Sequence, residues 1–89
     1  MTDDRTSFCR SLREKRARRG LTLDAIGESS KISVSLLADL ERGDLSRWPK
    51  GIFRRSFFRE YAVAIGLPPE PVVAELGRLF PEEDRKSVV

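Results

Sequence analysis

The chain has 89 residues, with 17 Lys and Arg against 14 Asp and Glu for a formal net charge of +3, a length that suits one domain with a modest core. It contains no histidine and one cysteine, Cys9, which excludes imidazole bases, an internal disulfide and a thiolate cage for a metal. We therefore expect no enzyme activity, no cofactor and a reducing, cytoplasmic location.

Five short helices are predicted along the chain, separated by glycine, proline and polar turns. No segment alternates with the period of a strand. The predicted fold class is therefore all-α, a compact five-helix bundle that forms a single domain over residues 1–80. Residues 81–89 are predicted to be a flexible tail. The expected helices cover residues 7–19, 23–28, 34–42, 52–65 and 70–80.

The second and third predicted helices form the most informative unit. Each is too short to be stable alone, and about four residues join them. Two such helices that cross over a shared core form a helix-turn-helix. Gly27 is placed where the two helices approach most closely, since only a small residue fits there. Five apolar residues then face inward: Leu23, Ile26, Ile32, Leu37 and Leu40. Four other residues of the third helix face outward: Val34, Ser35, Ala38 and Asp39.

Aromatic residues dominate the fourth predicted helix. Phe53, Phe57 and Tyr61 recur at intervals of four residues, and a stripe of this kind indicates a buried face more often than a docking surface. Phe58 is expected to be partly exposed or to pack under the fifth helix, because it cannot share the face of its neighbour. Trp48, in the loop before this helix, is predicted to fix the loop onto the core.

These motifs resemble a known family. The stretch from Leu12 to Gly43 resembles the helix-turn-helix of phage-repressor-like, XRE-type regulators. The continuation WPKGIFRRSFFREYAVAIGL is similar to the cytoplasmic helix-turn-helix domain of RodZ-like proteins, whose fourth helix follows a Pro-Gly turn and carries an Arg-x-Phe-x-x-x-Tyr core. The resemblance covers about Leu12 to Leu76. It implies two functions for one fold, because repressor-like members read DNA whereas RodZ-like members tether an actin-like filament to the membrane.

The first function predicts an interface with double-stranded DNA around the third helix. A recognition helix enters the major groove with its N-terminal residues against base edges, and the resemblance gives that role to Ser33, Val34, Ser35, Leu36 and Asp39. None of these is Arg, Lys, Asn or Gln, so base readout is expected to be modest. We therefore predict a transcriptional regulator that binds mainly through phosphates. The expected phosphate contacts are Lys31, Arg47, Lys50, Arg54 and Arg55, extended by Arg10 and Arg13.

Glu41 would have to face away from bound DNA. Its alternative interpretation is structural, with Glu41 and Arg42 closing the third helix and forming a salt bridge to the first.

A protein-interaction module is the alternative function. The resemblance to RodZ-like domains implies that the fourth helix meets an actin-like cytoskeletal protein of the MreB type, through Arg54, Phe57, Phe58 and Tyr61. Such an adaptor normally continues into a membrane span, which the short apolar runs of this chain do not predict.

A third alternative is a regulator that works only as a homodimer, with residues 72–80 as the interface. Two side chains of that segment lie off the main apolar stripe, which is compatible with pairing: Val73 and Phe80.

Overall fold

The computed structural model of the protein describes residues 4–81, and within that range it contains five α-helices and no strand. The all-α prediction is confirmed. The largest difference in bounds is at the first helix, which begins at Asp4 rather than near Ser7. The predicted tail, apart from Pro81, lies outside the described residues. The helices are α1 (Asp4–Arg18), α2 (Leu23–Ser30), α3 (Val34–Glu41), α4 (Ile52–Ala64) and α5 (Pro69–Leu79).

Local backbone chemistry sets the turn between α2 and α3. The Thr22 side chain caps α2 by accepting a hydrogen bond from the Ala25 amide at 3.1 Å, which satisfies one of the amides left unpaired at a helix start. At the other end of α2, Lys31 adopts the left-handed conformation with φ of 64°. A residue with a Cβ in this region carries a cost of about 1 kcal/mol. The Lys31 amide donates to the Gly27 carbonyl oxygen at 2.8 Å, so this left-handed residue ends α2 and turns the chain toward α3.

Gly27 lies at the close approach of α2 and the start of α3. A Cβ at this position would lie 3.0 Å from the Ile32 carbonyl oxygen and 3.1 Å from Val34 Cγ2. Because the nearer atom belongs to the backbone, it cannot move aside as a flexible side chain would. The prediction that only a small residue fits here is confirmed.

Gly27→Leu is accordingly expected to lower the free energy of unfolding by about 2 kcal/mol or more, since the new side chain must displace the turn. Leucine favours helix over glycine, so the loss cannot come from helix propensity. Urea denaturation followed by circular dichroism measures the change. Gly77→Leu in α5 is the matched control, because a Cβ there meets nothing within 4 Å. Equal stability of the two variants would contradict the close approach.

The core lies where the five helices meet, and the predicted inward positions of the helix-turn-helix belong to it, although Leu23 is half-buried. Trp48 is 2% exposed, and its indole Nε1 donates to the Leu36 carbonyl oxygen at 2.8 Å. This confirms that Trp48 fixes the loop between α3 and α4 onto the core. The largest fully buried side chains are Tyr61, Phe58, Leu12, Ile26, Leu37, Leu40, Ile65, Leu76 and Cys9.

The buried face of α4 is rotated from the predicted one. Phe53, predicted to be core, is 64% exposed, whereas Phe58, predicted to be either partly exposed or packed under the fifth helix, is fully buried. A strict four-residue repeat drifts around a helix of 3.6 residues per turn, so a straight inner face combines steps of three and four. The prediction is thus wrong at Phe53, and of the two placements predicted for Phe58 the partly exposed one is wrong. The residues of α4 and its C-terminus that are buried are Arg54, Phe58, Tyr61, Ala62 and Ile65.

The end of α5 also differs from its prediction. Phe80, expected off the main apolar stripe, is 8% exposed and packs in the core, with the Arg5 guanidinium 5.1 Å from the centre of its ring. Val73 is half-buried. Because Leu76 and Leu79 are buried within the chain too, much of the apolar surface assigned to a dimer is already covered.

Candidate interaction surfaces on α3 and α4

The N-terminal end of α3 gathers several of the residues predicted to contact DNA. Lys31, Ser33, Val34 and Ser35 are exposed there, whereas Leu36 is half-buried. The Ser33 side chain makes no capping hydrogen bond. This end of α3 therefore presents two hydroxyl groups, one valine and the Lys31 cation to solvent.

Asp39 does not lie on this surface, which corrects its predicted placement. The residue is 2% exposed, and its carboxylate accepts hydrogen bonds from Arg42 Nη2 at 2.5 Å and Arg47 Nε at 2.9 Å. Arg47 Nη2 also donates to Ser35 Oγ at 2.6 Å. The C-terminal half of α3 packs against the loop that follows, so the Asp39 carboxylate is satisfied inside the domain and holds Arg47 against α3.

Arg54 is likewise an internal residue, and its predicted phosphate contact is corrected. It is 8% exposed, with Nε donating to the Pro49 carbonyl oxygen at 2.9 Å and Nη2 to that of Leu45 at 3.1 Å. A guanidinium that satisfies loop carbonyls shapes the loop instead of meeting a ligand. Lys50 and Arg55 are exposed, but they line two different clefts. Both clefts are bordered by Phe80, at the C-terminal end of α5. The predicted cations thus form no single track beside α3.

A buried polar cluster joins α1, α3 and α4. Arg16 donates to Glu41 through Nε at 2.7 Å and Nη2 at 2.9 Å, and the Tyr61 hydroxyl donates to Glu41 Oε2 at 2.8 Å. The Arg16 and Glu41 side chains are only 14% and 5% exposed. The structural interpretation of Glu41, a salt bridge to the first helix, is confirmed. The hydrogen bond to Glu41 raises the pKa of Arg16, and burial, together with the Glu41 charge, raises the pKa of Tyr61 far above its ordinary value.

The raised pKa of Tyr61 predicts a loss of stability at high pH. An unfolded tyrosine ionises near pH 10, whereas the folded residue keeps its proton, so the stabilisation is complete below about pH 10 and declines above it. We expect the free energy of unfolding to fall there by up to about 1.4 kcal/mol per pH unit more than it does in Tyr61→Phe. Urea denaturation between about pH 8 and 11 measures both slopes. Parallel slopes would contradict the assignment.

α4 presents an apolar surface to solvent. Ile52, Phe53 and Val63 are 69%, 64% and 57% exposed. Helical geometry places them on one side of α4 together with Ser56 and Glu60, and we call these five residues the α4 outer face. Ile52 and Phe53 are neighbours in the chain, and two large apolar side chains exposed side by side mark a candidate interaction site.

Two arginines border the α4 outer face along one edge. Arg59 Nη2 lies 3.1 Å from Glu70 Oε2 in an exposed ion pair. Arg55 differs, because no carboxylate of residues 4–81 lies within 4.0 Å of it. The edge therefore carries one cation that a partner can neutralise.

The α4 outer face replaces the contact residues predicted for the fourth helix. Phe58 and Tyr61 are fully buried, Arg54 is buried, and Phe57 is half-buried with its ring 6.1 Å from that of Trp48. The side of α4 available to a partner is thus opposite to the one that carries the contact residues implied by the resemblance. Residues 4–81 contain no group of three His, Cys, Asp or Glu placed to hold a metal, and no helix in that range is long and apolar enough to cross a membrane.

Comparison with known families gives a match over most of these elements. Residues 11–72, from α1 into the first turns of α5, match the helix-turn-helix domain family. The chain belongs to that family. The helix-turn-helix domain is also 32% identical over 62 residues to the cytoskeleton protein RodZ of Streptococcus pneumoniae. This supports its place in the RodZ-like branch, as the resemblance predicted. The aligned segment covers 70% of this chain but 22% of that relative, and no solved structure matches.

Sequence reasoning about this helix-turn-helix domain missed the two most exposed large apolar residues of α4, Ile52 and Phe53. A signal was present, because successive helix positions differ by about 100°, so Ile52 and Phe53 cannot both lie at the centre of one buried stripe. The four-residue spacing of Phe53, Phe57 and Tyr61 competes with this signal, because it assigns Phe53 to the buried face.

Proposed function

We propose that this helix-turn-helix domain is a protein-interaction module that binds an actin-like cytoskeletal protein through the α4 outer face. The observation that carries the proposal is the exposure of Ile52 and Phe53 at the start of α4. Burying such side chains contributes about 1.5–3 kcal/mol each, so leaving both in water favours a partner that covers them. The match to a protein named for the cytoskeleton supports the choice of partner.

Double-stranded DNA is the second candidate partner, with transcriptional regulation as the function. It is favoured by three exposed cations, Arg10, Arg13 and Lys31, which have no carboxylate within 4.0 Å in the described part of the chain. It ranks second because α3 offers base edges no Arg, Lys, Asn or Gln, the side chains that read them best. Arg54 is also buried, with its guanidinium on loop carbonyls, although Arg47 stays 60% exposed beside α3. Binding would then rest on phosphates and weaken steeply with salt.

Cosedimentation with a purified, polymerised actin-like protein of the same organism tests the proposal. The wild-type domain should pellet with the filaments, and Phe53→Ser should weaken this binding about tenfold or more, as expected for an exposed aromatic anchor. Val34→Ser is the matched control, because Val34 is 39% exposed on α3 and lies away from the α4 outer face. It should bind filaments like the wild type.

Anisotropy of a labelled DNA duplex, at about 50 and 200 mM salt, is measured in parallel. Filament binding that Phe53→Ser abolishes, without salt-dependent DNA binding, supports the cytoskeletal function. Tight DNA binding that Phe53→Ser leaves intact, with no cosedimentation, overturns it in favour of the second candidate.

A further inference from the structure

A narrow cleft separates α4 from the C-terminal half of α5. Its volume is about 130 Å³, and buried Leu76 and Phe80 form part of its lining. These two side chains belong to the core, so this part of the wall is apolar and firmly held. Arg55 is the exposed cation at the edge. The full lining is Arg54, Arg55, Val73, Leu76, Gly77, Phe80 and Pro81.

Gly77 in this cleft has no structural explanation within the domain. It lies inside α5, and it is not one of the described glycines with positive φ. A Cβ there would meet nothing within 4 Å. Because glycine is the poorest helix former after proline, almost any other residue would favour α5 more. What glycine does provide is an open wall on the cleft.

The dimensions of the cleft indicate the kind of group it takes. Pockets for drug-sized ligands measure about 300–1,000 Å³, whereas one water molecule occupies about 30 Å³. A volume between these limits suits a single aliphatic or aromatic side chain. Since no carboxylate of residues 4–81 lies within 4.0 Å of Arg55, a negative charge next to that side chain would complete the match.

We infer that this cleft receives an apolar side chain, flanked by a carboxylate, from the protein partner that covers the α4 outer face. The inference rests on the proposed function for the choice of partner. Arg55 links the two surfaces, because it borders the α4 outer face and also lines the cleft. A partner that lies along α4 therefore contacts both, with an apolar group against Gly77 and an acidic group against Arg55.

The first test is filament binding by variants that fill the cleft or remove the positive charge at its edge. Gly77→Leu should weaken cosedimentation about tenfold while leaving the melting temperature unchanged or raised, an outcome that a damaged fold could not produce. Arg55→Gln should weaken it about threefold to tenfold and reduce its salt dependence. Ala74→Leu adds the same side chain to an exposed position of α5 outside the cleft lining and should bind like the wild type.

A second test needs no filament. N-acetylleucine, an apolar acid, is titrated into labelled protein and followed by nuclear magnetic resonance, with N-acetylleucinamide as the uncharged comparison. The acid is expected to cause saturable chemical-shift changes at Gly77 and Val73. The amide should bind several-fold more weakly, and in Gly77→Leu the change at Val73 should be absent.

The two tests separate the two ideas. Acid-dependent shifts in a protein that does not bind filaments uphold the cleft and overturn the proposed partner. Filament binding that Phe53→Ser abolishes and Gly77→Leu leaves intact, or an acid titration with no saturable shift at the cleft, overturns the cleft.

Discussion

Glu41→Gln is expected to lower the free energy of unfolding by about 3 kcal/mol or more, which for a domain of this size lowers the melting temperature by at least about 10 °C. Glu41 is the carboxylate shared by Arg16 and the Tyr61 hydroxyl. The amide keeps the shape of the side chain but leaves the nearly buried Arg16 cation without a countercharge. Urea and thermal denaturation followed by circular dichroism measure the loss.

Glu75→Gln is the matched control for that prediction. Glu75 also accepts two hydrogen bonds from one arginine, Arg78, but these side chains are 40% and 65% exposed. Exposed ion pairs contribute about 0–1 kcal/mol, so Glu75→Gln should change stability little. A similar loss of unfolding free energy in both variants would show that the contribution of the Arg16–Glu41 pair to stability does not depend on its burial.

Phe58→Ala is expected to cost about 3–5 kcal/mol of unfolding free energy, since it empties the centre of the core. The Phe58 ring lies 6.3 Å from that of Phe8 and 5.9 Å from that of Tyr61, so both contacts are lost with it. Urea denaturation at neutral pH measures the change.

Phe53→Ala is the companion to this substitution, as the same change on the opposite side of α4. Because Phe53 is 64% exposed, the free energy of unfolding of Phe53→Ala should stay within about 0.5 kcal/mol of the wild-type value, while filament binding falls. The reverse order of stabilities would contradict the orientation of α4 and, with it, the α4 outer face.

The helix-turn-helix could be predicted from sequence because its signals are local. Thr22 marks the start of α2, and Gly27 marks the close approach of the two helices. The orientation of α4 could not be predicted in the same way. Phe53, Phe57 and Phe58 each satisfy a helical spacing with Tyr61, and the choice among them depends on packing against α2, α5 and the Phe8 ring of α1.

The placement of the cations was beyond the sequence for a related reason. A count of basic residues between 47 and 59 does not show which of them reach solvent. Arg54 turns inward to the carbonyls of Leu45 and Pro49, whereas Arg47 pairs with Asp39 but stays 60% exposed, because the loop after α3 folds over the end of that helix. Such contacts arise only when the loop has its tertiary path.

The Arg16–Glu41–Tyr61 cluster also limits how the chain can be divided. Its three members lie 25 and 20 residues apart in the chain, on three different helices, so the C-terminal half of α1 is needed to complete a site on α3 and α4. A fragment beginning at α2 would contain the whole helix-turn-helix motif and all of α4. It would nevertheless bring Glu41 and Tyr61 into the interior without their cation. The smallest part of this protein that can display the α4 outer face in its native orientation therefore begins at α1, outside the motif that names the family.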